Sequence, residues 1–140
     1  MIKYIYEILQ EFENAQTTQE KQNILKSNVT PYLLQLLKNT FDPNIKFYMN
    51  QFPKEYKTPD TLPGIRYSGI ESEIHKSYLF QIGNPIADKL SQTKRIQLLT
   101  ELLESFEPQE AQIFVNMMKK DLKIPKLTAK LVKETFPNLI

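Results

Sequence analysis

The sequence predicts an all-α protein, a compact bundle of about seven or eight short helices in one domain that spans residues 1–140. Three observations predict this class. Apolar residues recur at helical spacing in one segment after another. No segment shows sustained period-2 alternation. Leu, Gln, Lys and Glu are frequent while Val and Thr are sparse, a composition that favours helices over strands.

Four helices are predicted before residue 50. The first is indicated by an apolar stripe formed by Ile2, Ile5, Leu9 and Phe12. The other three begin at start signals, which are one capping box and two N-caps with proline at the first helical position: Thr17 with Glu20, Thr30-Pro31 and Asp42-Pro43. The last of these helices is expected to carry Phe47 and Tyr48.

Residues 51–70 differ from this pattern because three prolines and two glycines interrupt them. We predict one long Pro/Gly-containing loop here. Helical spacing resumes at about Ile70. Three further helix starts follow, at Asn84-Pro85, Glu107-Pro108 and Thr128, and Pro137 ends the last helix.

The composition limits the chemistry that the chain can carry out. It contains no cysteine and one histidine, so there is no disulfide, no thiol nucleophile and no thiolate metal site. His75 lacks the neighbouring ligands that a metal needs. Glu101 with Glu104, and Glu107 with Glu110, could divide acid and base roles, but a solvated surface is the expected place for both pairs. We expect no catalytic residues, no metal and no cofactor.

Charge is unevenly distributed although the net charge is only +2. Residues 98–116 carry four glutamates and no positive charge, whereas residues 117–140 carry six lysines against one aspartate and one glutamate. The basic segment has two interpretations. It is a footprint for phosphates around a turn and a helix N-terminus, or a solvated face whose lysines pair with nearby glutamates. No apolar run approaches the roughly 18 residues that a membrane span needs, and no signal pattern opens the chain, so we expect a cytoplasmic protein without membrane contact.

Three segments carry a resemblance to a known family: TQEKQNILKSN, LLQLLKNTFDPNIKFYMNQFP and VNMMKKDLKIPKLTAKLVKETFPNLI. Together they resemble the N-terminal DNA-binding domain of bacteriophage ATP-dependent DNA ligases. The chain is also similar to a family of small uncharacterised tailed-phage proteins of this length. The ligase resemblance covers almost the whole chain and is weakest across residues 54–95. It implies an all-helical domain that grips duplex DNA at a nick, largely through the minor groove and the phosphates.

The resemblance is clearest at both ends of the chain, and near the C-terminus it can be followed residue by residue. Lys120 stands where the ligases have a basic residue before Asp-Leu, and Thr128 stands near a small hydroxyl residue that could cap the last helix and meet a phosphate. The ligase turn contains a glycine that lets the backbone approach DNA closely, whereas this chain has Pro125, Lys126 and Leu127. A side chain there can block that approach, although Lys126 can itself reach a phosphate. No Lys-x-Asp-Gly adenylation motif occurs, so we expect no ligase activity from this chain.

These observations predict a non-catalytic domain that binds double-stranded DNA largely without sequence preference, in phage DNA replication, repair or joining and hence in the host cell cytoplasm. A preference for nicked duplex would tie the domain to repair or joining. The predicted contact residues are Lys119, Lys120, Lys123, Lys126, Thr128, Lys130 and Lys133, with a second surface formed by Lys54, Lys57 and Arg66.

The alternative function is a protein–protein adaptor that modulates a phage or host replication, repair or defence component. Its apolar face would lie on the helix at residues 109–120 and would comprise Ile113, Phe114, Met117 and Met118. Packing of these residues into the core is the other interpretation, and the one that we favour.

Overall fold

The computed structural model describes residues 4–48 and 68–140. The prediction of an all-α bundle is confirmed, because these residues form eight α-helices and one 3-10 helix, with no strand among them. The α-helices are α1 (Ile5–Asn14), α2 (Thr18–Ser27), α3 (Pro31–Phe41), α4 (Ile70–Glu73), α5 (Pro85–Lys89), α6 (Gln92–Ser105), α7 (Pro108–Met118) and α8 (Ala129–Thr135). The 3-10 helix, Ile74–Phe80, continues directly from α4.

The predicted start signals form caps at five helices. Thr17, Thr30 and Thr128 each accept a hydrogen bond through Oγ1 from the backbone N–H three residues later. Asn84 and Glu107 cap α5 and α7 through their side-chain oxygens, and proline follows each of them at the first helical position. These predictions are therefore confirmed.

The prediction of a helix that begins at Asp42-Pro43 is wrong, because residues 42–48 form no helix. The Asp42 carboxylate accepts a hydrogen bond from the backbone N–H of Asn44 at 2.9 Å, a local turn that competes with helix formation. The chain then extends, and Phe47 pairs with Gln81 in an isolated antiparallel bridge. The predicted loop at residues 51–70 lies outside the described residues except for its last three, and α4 begins at Ile70 as expected.

Helix α7 is the centre of the bundle. It packs against α1, α3, α4 and α6. Phe114 lies completely buried at its middle, with the rings of Phe106 and Phe80 at centroid distances of 5.5 and 6.4 Å. One hydrophobic cluster extends from Ile5 to Val132. No helix in the described part of the chain combines the length and the apolar content that a membrane span requires.

Candidate nucleic-acid interface

The predicted contact residues near the C-terminus lie on one loop and the helix that follows it. Helix α7 ends in a Schellman motif, in which the backbone N–H of Lys120 donates to Met117 O at 2.9 Å and that of Asp121 donates to Asn116 O at 3.0 Å. This motif places Lys120 in the left-handed region, at φ 63°, where glycine is the usual residue. The loop at residues 119–128 therefore begins at a fixed angle to α7.

The side chain of Lys120 is used inside the fold. Its ammonium donates hydrogen bonds to three backbone carbonyls at the end of α3 and in the turn that follows it, those of Asn39, Asp42 at 2.9 Å and Ile45 at 2.7 Å. Burial lowers the pKa of Lys120 from its ordinary value, and the Asp42 carboxylate opposes that shift. An ammonium has three N–H donors, and all three are engaged here. Lys120 is thus removed from the predicted phosphate contacts, because its charge closes the C-terminus of α3 instead.

Lys123 and Lys126 lie on the outside of the same loop. Both are exposed, and both have left-handed backbones, with φ values of 57° and 70°. Buried Leu122 and Leu127 flank them and anchor the loop to the core. Within residues 4–48 and 68–140, three residues other than glycine have a positive φ. They are Lys120, Lys123 and Lys126, so all three are lysines of this loop. Lys126 thus adopts a backbone conformation that glycine adopts freely.

Helix α8 continues the basic surface. Leu131, Val132 and Thr135 are buried, so Lys130 and Lys133 lie on the exposed side, one turn apart. The other exposed predicted contacts on this part of the chain are Lys119, the first residue of the loop, and Thr128, its last residue, which caps α8. We call the five exposed lysines the basic surface: Lys119, Lys123, Lys126, Lys130 and Lys133.

The second predicted contact surface, Lys54, Lys57 and Arg66, lies outside the described residues. The chain's other arginine, Arg95, is engaged internally. Its guanidinium lies 3.7 Å from the centre of the Tyr48 ring and donates to the carbonyls of Ala87 and Leu90.

The sequence led us to expect Glu107 and Glu110 on a solvated surface, and for Glu110 this expectation is wrong. Glu110 is completely buried. Its carboxylate accepts hydrogen bonds from the backbone N–H groups of Ile5 at 3.3 Å, Tyr6 at 2.8 Å and Ile70 at 3.2 Å. These donors are the first residues of α1 and α4, so one side chain closes the N-termini of two helices.

The surroundings of Glu110 have opposite effects on its ionisation. The pKa of Glu110 is raised to about 7: burial is the largest cause, the three backbone N–H groups act to lower it, and the nearby charge of Glu107 adds to the rise. Gly69 makes room for this carboxylate, because a Cβ there would lie 3.0 Å from Glu110 Oε1 and 3.1 Å from the Tyr4 ring. The role of Glu110 is therefore structural.

The proposed adaptor face of residues 109–120 packs into the core. Phe114, Met117 and Met118 are at most 1% exposed, and Ile113 is partly buried against the same cluster. The interpretation of these residues as core is confirmed. His75 is exposed, and no group of three or more metal-binding side chains occurs within residues 4–48 and 68–140.

Comparison with known protein families finds a match over most of the chain. A family of unknown function (DUF6433) matches residues 8–124, which is most of the chain. The match includes α7 and the beginning of the loop with Lys119, Lys120 and Lys123, and ends before α8. A search of curated proteins finds no match.

Proposed function

The chain belongs to DUF6433, a family of unknown function, and we propose that it is a non-catalytic domain that binds double-stranded DNA through the phosphate backbone. The observation that carries this proposal is the basic surface. Its five lysines are exposed over the 15 residues 119–133 of loop and helix, and the only acidic residue in that segment is Asp121. The ligase resemblance supports DNA replication, repair or joining in a phage-infected cell as the setting, and nicked duplex as the form to test.

Lysine is suited to phosphates and poorly suited to reading bases. An ammonium is a point charge that accepts many geometries, whereas base reading in the major groove relies most often on the bidentate guanidinium of arginine. In the part of the chain that the structure describes, the one arginine, Arg95, is held by Tyr48 and two carbonyls. Binding through the basic surface is therefore expected to be largely independent of sequence and sensitive to salt.

The left-handed loop allows the proposal to be tested without unfolding the protein. Changing Lys123 and Lys126 together to glycine removes two charges, while glycine takes up φ values of 57° and 70° without strain. Relief of that strain offsets the flexibility that glycine adds to the unfolded chain, so we expect stability to change by less than about 1 kcal/mol. Affinity for a labelled intact duplex, measured by fluorescence anisotropy, is expected to fall about tenfold at low salt. The slope of log K against log salt should become shallower by about 2.

The matched control removes two charges elsewhere. Lys89 and Lys94 are exposed on α5 and α6, and their change to glutamine lowers the net charge by the same amount. This control is expected to weaken binding by less than about twofold, because long-range attraction is screened over about 10 Å. Equal losses in the two double variants would mean that the net charge, and not the basic surface, determines binding.

The adaptor function remains the alternative. Its predicted face is in the core, so an adaptor would need a different surface.

A further inference from the structure

A groove of about 450 Å³ lies between the N-terminal turn of α3 and the segment formed by α4 and the 3-10 helix. Tyr32 lines it on the α3 side, and Glu71, Ile74, His75 and Tyr78 line it on the other. None of the five lysines of the basic surface lines this groove. The groove is therefore a second surface, formed by other helices of the bundle.

The walls of the groove combine aromatic rings with one carboxylate. Tyr78 is 38% exposed, and Tyr32 is half-buried. Glu71 is half-buried, and no described residue forms an ion pair or a hydrogen bond with its carboxylate. Its neighbour Glu73 is instead paired with Lys76 at 2.7 Å. Among residues 4–48 and 68–140, the residues that line the groove include no lysine or arginine.

The floor of the groove is held in place by buried polar contacts. Asn39 is 1% exposed and donates from Nδ2 to Ser77 Oγ at 3.1 Å, while Gln35 donates to Asn39 Oδ1. Ser77 and Gln35 both line the groove, so this network joins its two walls. The groove is consequently formed before anything binds, which lowers the entropic cost of binding.

We propose that the groove binds the side chain of an arginine, or of a lysine, presented by an exposed segment of a partner protein. A guanidinium can stack on a tyrosine ring and pair with the Glu71 carboxylate, while its methylene groups lie on the apolar Ile74. A half-buried carboxylate that no cation from the described part of the chain neutralises, beside two tyrosines, is complementary to this group. DNA is a poor occupant because its phosphates would be repelled by Glu71.

The test uses two small probes and the full chain labelled with ¹⁵N. N-acetyl-arginine amide carries the cation, and N-acetyl-citrulline amide has the same length and no charge. We expect the arginine probe to shift the backbone amide signals of Tyr32 and of residues 74–78, and to bind at least about fivefold more tightly than the citrulline probe. Glu71→Gln is expected to weaken arginine binding about fivefold, whereas Glu101→Gln, an exposed glutamate on α6, leaves it unchanged.

Three outcomes would overturn the proposal. Equal binding of the two probes would show an apolar groove without charge recognition. Shifts centred elsewhere, or the absence of shifts, would show that the groove does not take this side chain. Displacement of the arginine probe by a short DNA duplex would assign the groove to nucleic acid. The arginine titration needs no DNA, so its result is separate from that of the DNA-binding proposal.

Discussion

Replacing Glu110 by alanine is expected to lower the free energy of unfolding by about 3 kcal/mol at pH 6, which corresponds to a fall of roughly 10 °C in the melting temperature. The change leaves the backbone N–H groups of Ile5, Tyr6 and Ile70 without their acceptor and opens a cavity where α1, α4 and α7 meet. Urea unfolding followed by circular dichroism measures this loss. Glu101→Ala, at an exposed position on α6, is the control and should cost less than about 0.5 kcal/mol.

The same residue makes the stability of the protein depend on pH. The pKa of Glu110 is raised to about 7 in the folded state, from an ordinary value of 4.5. Between these values the folded protein holds a proton that the unfolded chain releases, so the stabilisation is fully present below pH 4.5 and is lost as the pH rises through 7. We expect up to about 3 kcal/mol less stability from this group at pH 8 than at pH 5.

Two variants check this pH dependence. Glu110→Gln cannot ionise, and its unfolding free energy is expected to change much less between pH 5 and pH 8 than that of the wild type. Glu110→Ala should be more damaging at pH 6 than at pH 8, because the wild type itself is weaker at the higher pH. An equal pH slope in the wild type and in Glu110→Gln would contradict the assignment to Glu110.

Replacing Lys120 by methionine is the second large effect that we expect. Methionine keeps most of the apolar stem but lacks the ammonium that donates to the carbonyls of Asn39, Asp42 and Ile45. Because the side chain is only partly buried, we expect a loss of about 2 kcal/mol in unfolding free energy, less than the sum of three charge-assisted bonds. Hydrogen exchange should increase both at residues 39–48 and in the loop at residues 119–128, since the ammonium ties these segments together.

Lys123→Met is the matched control for Lys120→Met. Lys123 has a left-handed backbone like Lys120, and its exposed ammonium makes no hydrogen bond within the described ranges 4–48 and 68–140. Lys123→Met is therefore expected to change stability by less than about 0.5 kcal/mol while weakening DNA binding. If the two variants lost the same stability, the three carbonyl contacts of Lys120 would contribute nothing.

The helix starts were predictable because their signals are local. Thr30 and Leu33, or Thr128 and Leu131, are three residues apart, so the capping side chain and the N–H that it binds lie in one short stretch of sequence. Apolar spacing likewise identified the buried faces of α1 and α7. The prediction of a helix at Asp42-Pro43 failed because aspartate before proline also favours a turn, and the local sequence does not decide between a helix and a turn.

Glu110 and Lys120 could not be assigned from the sequence. Their partners are backbone groups, which every residue carries, and those partners lie 105 residues away for Glu110 and Ile5 and 81 residues away for Lys120 and Asn39. The sequence alone therefore led us to expect both side chains at the surface. The sequence shows that residues 117–140 are rich in lysine. Which of the six lysines face solvent depends on the left-handed turn after α7, a conformation for which lysine has no preference.

Binding of the wild-type protein to a labelled DNA duplex, at about 50 mM and about 200 mM salt, tests the central claim most directly. Fluorescence anisotropy on matched intact and nicked duplexes gives both the salt slope and the preference for nicks. If four lysines of the basic surface contact phosphates, affinity should fall about 100-fold between the two salt concentrations. Absence of binding at the lower concentration, or an affinity that salt does not change, would contradict a DNA-binding role for this fold.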